Sequence, residues 1–320
     1  MISNRITDIS QLFPQKESQV TNQILMIRPV DFKFNIQTAS NNKFQEESTG
    51  ANVQQLALQE FDQFTEVLKD NGIELTIIQD ILQPETPDSI FPNNWISLHH
   101  NGQVYLYPMF SQNRRLERRQ DILETLQDSF KVNQIEDLSA FEEEGIYLEG
   151  TGSMVLDREN KIAYACVSVR TDLEVLDTFC KKADYSAVTF IAVDDKDFPI
   201  YHTNVMMCVG DQFAVVCLEA VKAADERKKL IKNLHSTGKE IIEITFDQMN
   251  HFAGNMLQLK NKEGKMLLVM SEQAYLSLTK RQVNALEKYS KLIYSPLYTI
   301  EKNGGGSARC MLAEIHLQKK

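Results

Sequence analysis

Residues 91–107 read FPNNWISLHHNGQVYLY, and they contain the pattern that decides this fold. Apolar residues flank the dipeptide Asn101-Gly102, which is a strong short signal for a two-residue hairpin turn. A helical spacing of apolar residues begins near Leu116, and a further strand-like run covers residues 132–135. The segment therefore predicts one unit of strand, strand, helix and strand.

The same unit recurs along the chain without a Pro- or Ser-rich linker between copies. The helical patterns begin at positions separated by 60, 57, 48 and 62 residues, namely Leu56, Leu116, Leu173, Val221 and Val283. Repeats of this length are typical of units that bury their faces against their neighbours. We therefore expect an α/β fold in which five ββαβ units form a propeller-like ring. We expect one domain over residues 1–320, with residues 1–22 as a peripheral N-terminal extension.

Polar residues interrupt these units at a common phase. They are spaced by 55, 53, 53 and 55 residues, and they are Asn94, Glu149, His202, Asn255 and Cys310. Each lies where a loop enters a strand, and equivalent positions of units in a ring point towards the same axis. A lone histidine or a glutamate before glycine is usually structural, but a shared phase favours a common site. We therefore expect these five residues to meet in a central cavity.

The run Gly304-Gly305-Gly306 precedes Cys310 and cannot form the interior of a helix or strand. It indicates a close approach of the backbone to another group. The alternating residues 311–315 predict a strand, so Cys310 lies at the entry of a loop into a sheet. This position suits a nucleophile, although free cysteine is also among the most buried residue types. Other cysteines fall within strand-like runs and are expected in the core, namely Cys166, Cys208 and Cys217.

Composition and charge exclude several classes of protein. The chain has 320 residues and a formal net charge of −10, which disfavours nucleic acid and anionic membranes as partners. The basic run 114–119 is expected on a solvated helix face. No apolar run is long enough to span a bilayer, and the first residues lack the apolar core of a signal peptide. Five cysteines without a C-x-x-C pair favour a reducing cytoplasm and no metal site. Oligomeric state is not readable.

Five sequence motifs resemble those of the guanidino-group-modifying superfamily, which includes arginine deiminases, dimethylarginine dimethylaminohydrolases and glycine amidinotransferases. They are residues 148–152 (LEGTG), 167–171 (VSVRT), 202–204 (HTN), 254–255 (GN) and 305–311 (GGSARCM). The most similar branch is that of the amidinotransferase-like, citrulline-utilisation hydrolases, and the likeness runs from about Ile24 to the C-terminus. The resemblance implies the pentein fold, a five-bladed α/β-propeller with pseudo-fivefold symmetry. The resemblance also implies an enzyme that needs no cofactor and no metal.

The chemistry of a guanidino or ureido carbon fits three of these residues. Such a carbon is a poor electrophile, and a thiolate at Cys310 is a strong nucleophile. His202 can protonate the leaving amine and later activate water. Glu149 can bind substrate N–H groups and keep His202 protonated. Arg170 and Arg309 are candidates for binding a substrate carboxylate, with a structural ion pair as the alternative for each.

Departures from the deiminase pattern concern the charge of the substrate. Deiminases place an aspartate in the motif that here contains Asn93 and Asn94, and another where this chain has Asn204. Amides offer both donors and an acceptor, which match a neutral urea better than a cation. We therefore expect a small ureido amino acid as substrate, with citrulline converted to ornithine, ammonia and carbon dioxide through a Cys310 adduct. Asn94, Asn93, Asn204 and Asn255 are the candidate substrate-binding amides.

Several alternatives stay open at this point. Glu149 supplies one negative charge, so an arginine or dimethylarginine deiminase-type hydrolase fits as well. An amidinotransferase would pass the adduct to a second amine instead of water. A binding module on the same fold is the alternative outside enzymes. His251 is a weaker candidate for the pocket wall, and a loop containing Asn35, Asn41, Asn42, Phe44 and Gln45 forms either a lid or a solvated turn.

Overall fold

The computed structural model describes residues 17–48 and 52–320. Its strands form five sheets of three strands each, in the orders β15-β1-β2, β3-β4-β5, β6-β7-β8, β9-β10-β11 and β12-β13-β14. The strands are β1 Gln23–Arg28, β2 Glu74–Gln79, β3 Ile96–Leu98, β4 Gln103–Leu106, β5 Gln134–Asp137, β6 Val155–Asp157, β7 Ile162–Cys166, β8 Ser186–Phe190, β9 Met207–Val209, β10 Phe213–Val216, β11 Glu240–Glu243, β12 Leu257–Lys260, β13 Met266–Ser271, β14 Lys291–Ser295 and β15 Ala313–Glu314.

Each sheet combines one antiparallel and one parallel pair. In the second sheet, β3 runs antiparallel to β4 with Ile96 opposite Leu106. β4 then runs parallel to β5, with Gln103 opposite Gln134, because helical turns and a helix connect the two strands. The same order of strand, strand, helix and strand is found in the other sheets, which confirms the predicted α/β unit.

The first sheet is assembled from both ends of the described chain. β15 pairs antiparallel with β1, with Ile24 opposite Glu314, and β1 pairs parallel with β2. A bridge between Leu98 and Ile315 connects this sheet to the second one. The segment that carries Cys310 is therefore anchored directly behind the first two sheets.

Helices and short helical turns connect the strands. Their bounds are α1 Ile36–Ala39, α2 Val53–Asp70, α3 Gln112–Arg115, α4 Gln120–Ser129, α5 Gly150–Ser153, α6 Leu173–Ala183, α7 Thr203–Met206, α8 Ala224–Ser236, α9 Phe246–Asn250, α10 Glu272–Ser277, α11 Lys280–Leu286 and α12 Tyr298–Gly304. The longest, α2, buries Phe61, Phe64 and Leu68 on one face, which is the spacing that an amphipathic helix requires. No helix in the described ranges has both the length and the apolar character of a membrane span.

The N-terminal segment differs from its prediction as a peripheral extension. Residues 1–16 lie outside the described residues, but residues 17–22 pack into the fold. Glu17 is buried, and its carboxylate lies 3.2 Å from the Arg158 guanidinium. The Gln19 side chain donates to the Leu156 carbonyl at 3.0 Å and to the Val209 carbonyl at 3.1 Å. These contacts cross two sheets, so the prediction was wrong for residues 17–22.

The basic run is also placed differently from the prediction of a solvated helix face. Arg114 is only 3% exposed, and its guanidinium binds Glu117 at 2.8 Å. Arg118 binds Glu142 at 2.7 Å, and it is largely buried as well. Arginine is rarely buried without a partner, and the carboxylates that pair with the run explain its burial.

Candidate active site

The five polar residues of common phase lie at the starts of the five sheets, in short helical turns or just beside them. Asn94 ends a 3₁₀ turn over Pro92–Asn94, Glu149 precedes α5, and His202 precedes α7. Asn255 follows the turn after α9, and Cys310 lies in a 3₁₀ turn over Ala308–Met311. All five side chains are at least nine-tenths buried.

Glu149 joins His202 to Arg170. One carboxylate oxygen lies 2.8 Å from His202 Nε2 and 3.3 Å from an Arg170 Nη. The other oxygen accepts the backbone N–H of Phe110 at 3.0 Å. Burial alone would raise the pKa of the Glu149 carboxyl, but Arg170 and the bond from His202 together hold it well below its usual value. Glu149 is therefore ionised at neutral pH.

His202 is neutral at pH 7, contrary to the expectation that Glu149 keeps it protonated. Burial lowers the pKa of His202 to about 4, and the hydrogen bond and charge of Glu149 offset this only in part. Arg170 and Arg114 also disfavour a second positive charge nearby. A neutral imidazole can accept a proton, so His202 begins as a base.

The sulfur of Cys310 lies beneath two amide groups. Asn204 Nδ2 donates to Sγ at 3.4 Å, and Asn255 Nδ2 donates to it at 3.3 Å. The orientation of Asn255 is fixed, because its Nδ2 also donates to the Asn204 carbonyl and its Oδ1 accepts the Arg309 backbone N–H at 3.0 Å. Two donors directed at one sulfur stabilise negative charge on it.

The other amides carry polar atoms without partners among the described residues. Asn94 Oδ1 accepts from an Arg114 Nη at 2.8 Å, whereas Asn94 Nδ2 is buried and unpaired. Asn204 Oδ1 is likewise buried and unpaired. Asn93 turns away from the cavity towards Thr151, at 3.4 Å. The cavity therefore offers an unmatched donor from Asn94, and Asn204 carries an unmatched acceptor beside the sulfur.

The two arginines proposed for a substrate carboxylate have different surroundings. Arg170 lines the cavity, is 1% exposed and lies over the Tyr201 ring at 4.8 Å. Arg309 turns away from the cavity, binds Glu314 at 2.8 Å and donates to the Leu312 carbonyl at 2.7 Å. The prediction that Arg309 binds substrate was wrong, because its side chain forms the structural ion pair that was the alternative. His251 is also outside, with an exposed ring against the Asp247 carbonyl.

Two charged residues of the cavity were missed by sequence reasoning. Asp88 is buried, and its Oδ1 has no partner among the described residues, while its Oδ2 accepts from Asn35 at 2.7 Å. Arg114 lines the same cavity and holds Asn94. Asp88 begins the segment that contains Asn94, so its position in the sequence could have identified it as a candidate site residue. The i,i+3 spacing of Arg114 and Glu117 was a usable signal for an ion pair, but the contacts of Arg114 with Asn94 and Asp88 come from a different segment.

The loop that the sequence leaves as either a lid or a solvated turn lies against the cavity. Asn42 Nδ2 donates to the Gly304 carbonyl at 3.3 Å, and Thr38 and Asn42 line the cavity. Gly305 permits this contact, because its φ is +63° and a Cβ there would lie 2.5 Å from Asn42 Nδ2. The cavity volume is about 20 Å³, which is room for roughly one water. An adjoining cleft of about 430 Å³ opens between this loop and Tyr201.

The described part of the chain contains no set of side chains that could bind a metal ion. No group of three or more His, Cys, Asp or Glu side chains there is arranged to hold an ion. All five cysteines are free thiols.

The chain was compared with known proteins by sequence and by structure. The sequence model of the family described as N,N dimethylarginine dimethylhydrolase, eukaryotic, matches residues 28–317. Among curated proteins, none matches the sequence.

Three solved structures illustrate the structural likeness. Apo ArgZ, an arginine dihydrolase from the ornithine-ammonia cycle in Cyanobacteria, superposes with a TM-score of 0.72 at 16% identity over 91% of this chain. This chain spans 40% of full-length ArgZ, but 96% of the product-bound N-terminal domain of ArgZ, with a TM-score of 0.71 at 18% identity and 91% coverage of this chain. A dimethylarginine dimethylaminohydrolase adduct with S-methyl-L-thiocitrulline gives 0.63 at 15% identity, covering 92% of this chain and 99% of that one. At such identities the likeness shows the fold.

Proposed function

Because this chain belongs to the N,N-dimethylarginine dimethylhydrolase family and is therefore an enzyme of guanidino-group hydrolysis, we propose that Cys310 attacks the planar carbon of a ureido or guanidino amino acid. The observation that carries this proposal is the sulfur beneath two amide N–H donors, in a cavity that it shares with His202. A thiolate held in this way is an activated nucleophile. Within that class, we propose citrulline as the substrate on the chemistry of the amides around the sulfur.

The reaction with citrulline balances with these residues alone. His202 takes the thiol proton, Sγ forms a bond to the ureido carbon, and the C–Nδ bond breaks as His202 returns the proton to nitrogen. Ornithine leaves, and Cys310 carries a carbamoyl group. His202 then takes a proton from water, whose oxygen attacks the carbonyl, and the C–S bond breaks as His202 returns that proton to the sulfur. The carbamate released decomposes to ammonia and carbon dioxide.

The unpaired amide atoms support a neutral substrate. A ureido group has one acceptor oxygen and N–H donors, whereas a guanidinium has donors only. Asn94 lines the cavity, and its unpaired Nδ2 would donate to the oxygen. Asn204 contacts the sulfur through Nδ2, and its unpaired Oδ1 would accept from an N–H. A guanidinium would leave Asn94 Nδ2 buried without a partner, at a cost of about 1–3 kcal/mol.

Arginine or dimethylarginine is the second candidate, and two observations favour it. The matching family is named for dimethylarginine, and Glu149 is an ionised carboxylate beside the reacting centre. Burying a guanidinium requires such a counter-charge. Arg170, however, already lies 3.3 Å from Glu149 and neutralises much of its charge.

The amino-acid end of the substrate has candidate partners around Arg170 and Asp88. In the closed structure Asn41 Oδ1 accepts from Arg170 Nε at 3.0 Å, and the Thr38 carbonyl accepts from an Nη at 3.2 Å. A substrate carboxylate would replace these two groups when the loop opens. The unpaired oxygen of Asp88 would then accept from the substrate ammonium.

The proposal also covers the arrangement of the five sheets, the cellular location of the protein and its partners. Contacts follow the chain from each sheet to the next, and α2 of the first sheet reaches β14 of the fifth, which supports a five-bladed propeller with pseudo-fivefold symmetry in one domain. The five free thiols support a reducing, cytoplasmic location. Neither nucleic acid nor membrane is a proposed partner of this acidic chain.

A product assay tests the proposed function. The protein is incubated separately with citrulline, arginine and dimethylarginine, while ornithine, citrulline, ammonia and dimethylamine are measured. We expect ornithine and ammonia from citrulline, and none from Cys310→Ala. Turnover of arginine or dimethylarginine without turnover of citrulline would overturn the choice of substrate. Turnover that survives in Cys310→Ala would overturn the mechanism.

A further inference from the structure

The turn that carries Cys310 is tied across by the side chain of the preceding residue. One Arg309 Nη donates to the Leu312 carbonyl at 2.7 Å, and the other lies 2.8 Å from the Glu314 carboxylate. The guanidinium therefore links the residue before Cys310 to two residues that follow it. Arg309 and Glu314 are both more than nine-tenths buried, so water competes little for these contacts.

Glu314 is held by the first sheet and by a second arginine. It belongs to β15 and lies opposite Ile24 of β1. One of its oxygens faces Arg309, and the other lies 3.5 Å from an Arg158 Nη. Burial alone would raise the pKa of the Glu314 carboxyl, but Arg309 and Arg158 bring it down to about 2. Arg309 is therefore bound to a full negative charge that the sheet keeps in place.

The two amides that donate to the sulfur are held by a different part of the fold. Asn204 lies in α7. Asn255 follows Gly254, where an added Cβ would lie 2.3 Å from the Val205 carbonyl, so this backbone packs directly against α7. Asn255 Nδ2 also donates to the Asn204 carbonyl at 2.9 Å. The two donors are thus fixed to each other, and the turn of Cys310 has to be held against them.

The backbone of Arg309 joins the turn to these amides. Its N–H donates to Asn255 Oδ1 at 3.0 Å, and Asn255 Nδ2 donates to Cys310 Sγ at 3.3 Å. The second donor, Asn204 Nδ2, lies 3.4 Å from the same sulfur. Hydrogen bonds weaken steeply when donor and acceptor are misaligned, so a displaced turn would lose the benefit of both amides.

We propose that the Arg309 guanidinium and the Glu314 carboxylate form a clamp that holds the Cys310 turn against the amides of Asn204 and Asn255. Arg309 and Glu314 are positioning residues, because neither lines the cavity and both act through the alignment of Sγ with its donors. The inference rests on the proposed function, since it takes Cys310 as the nucleophile. Its direct readout is the reactivity of the thiol, which needs no substrate.

Two other roles for Arg309 predict different results. A purely structural ion pair would change stability but not the reactivity of the thiol in the folded protein. An effect of the positive charge on the sulfur through space would survive replacement by lysine and disappear only with the charge. Lysine has one nitrogen in place of the planar fork, so it cannot hold Leu312 and Glu314 in the same geometry.

The test measures alkylation of each cysteine by iodoacetamide at pH 7, followed by mass spectrometry of the peptides. We expect Arg309→Lys to slow alkylation of Cys310 about tenfold, because two hydrogen bonds to the thiolate are weakened. In the Asn255→Ala background the same change should slow it less than about threefold, since one of the two amides is already absent. The matched control is Arg28→Lys, which replaces an arginine bound through two nitrogens to Asp62 and should have no effect.

The other four thiols provide an internal check on folding, because all of them are buried. If all five react in Arg309→Lys, the test passes to Glu314. Glu314→Gln keeps an acceptor oxygen for Arg309 and should retain more Cys310 reactivity than Glu314→Ala. Equal reactivity in Glu314→Ala and the unmodified protein would overturn the inference.

Steady-state kinetics give a second readout. Arg309→Lys should lower kcat for citrulline about tenfold or more and change KM less than about twofold, because the clamp aligns the nucleophile without touching the substrate. Unchanged alkylation of Cys310 in folded Arg309→Lys would overturn the inference, and so would slowing that appears only in Arg309→Met or equally in both backgrounds. Slowed alkylation as expected, without turnover of citrulline by the unmodified protein, would instead contradict the proposed function alone.

Discussion

Two asparagines from different units of the repeat donate hydrogen bonds to the sulfur of Cys310. Asn255 contributes Nδ2 to the sulfur while its Oδ1 ties down the Arg309 backbone, so one side chain both polarises and positions the nucleophile. Asn204 contributes the second donor and keeps an unpaired oxygen. At this scale the site is a set of amides whose orientations are fixed by their neighbours.

Replacing Asn255 should therefore affect the chemistry more than substrate binding. We expect Asn255→Ala to lower kcat by about 10- to 100-fold, as loss of one charge-stabilising donor generally does. Asn255→Asp keeps the acceptor for the Arg309 N–H but turns a carboxylate oxygen towards sulfur, so its loss should be larger. Steady-state kinetics and the rate of iodoacetamide alkylation of Cys310 measure both effects. Equal activity of the Asp variant and the unmodified protein would contradict the donor role.

The sequence located the central residues better than it located the arginines. The phase of the repeat placed Cys310, His202, Glu149, Asn94 and Asn255 together, because position within a unit fixes position around the cavity. The direction of an arginine depends instead on which of several nearby carboxylates it binds, and local spacing does not decide that. Arg309 turns to Glu314, and Arg114 turns inward to Glu117 and Asp88. Protonation of His202 also depends on burial, which a sequence motif does not record.

At the scale of elements, the loop around α1 is the part of the site that must move. It closes over a cavity too small for an amino acid, and Asn41 occupies the donors of Arg170 that a carboxylate would use. An ion pair between Lys43 and Asp194 holds the far side of this loop. The sequence allowed either a lid or a solvated turn here, since the composition of a polar loop does not reveal what it contacts.

Removal of Asn41 tests whether the closed loop competes with substrate. We expect Asn41→Ala to lower KM for citrulline severalfold with little change in kcat, because Arg170 is then freer to bind the substrate carboxylate. N-carbamoylputrescine, a ureido compound without a carboxylate, should show no such gain. Ser40→Ala, which alters the adjoining residue of the same loop, serves as the control. An increase in KM would show that Asn41 assists binding and does not compete with it.

At the scale of the whole molecule, buried charges tie the ends of the chain to the ring of sheets. Glu17 pairs with Arg158, which lies 3.5 Å from Glu314 on β15, and Glu314 pairs with Arg309 next to the nucleophile. The repeat predicted five units, but it could not show this connection. Residues 17–22 lie outside the repeat, so no periodic pattern in the sequence predicts that they pack against two sheets.

Acid should destabilise this fold steeply. Burial lowers the pKa of His99 to about 3 and that of His202 to about 4, and it holds the pKa of His316 well below its usual value. Below pH 6.5 these histidines bind protons in the unfolded chain, whereas they stay neutral in the folded protein. The free energy of unfolding therefore falls by up to about 1.4 kcal/mol per pH unit for each histidine. The stability that these histidines contribute is therefore fully present above pH 6.5 and is lost as pH falls towards 4. Burial raises the pKa of Glu117 to about 8 and that of Glu301 to about 7, so these two carboxyls act in the opposite direction as pH falls from 8.

Urea unfolding between pH 8 and pH 5 measures this loss. The midpoint should fall as pH decreases below 6.5, and His99→Gln should make that decrease shallower. His235→Gln, at an exposed position of α8, should leave it unchanged. The same pH dependence in His99→Gln and in the unmodified protein would contradict the assignment of His99 as a buried neutral histidine.

Trapping the covalent adduct tests the central claim most directly. The protein is mixed with citrulline, quenched in acid during turnover, digested and analysed by mass spectrometry. We predict one carbamoyl group on the peptide that contains Cys310, formed together with one equivalent of ornithine. Ornithine produced without any modification of Cys310, or at an undiminished rate by Cys310→Ala, would contradict the account.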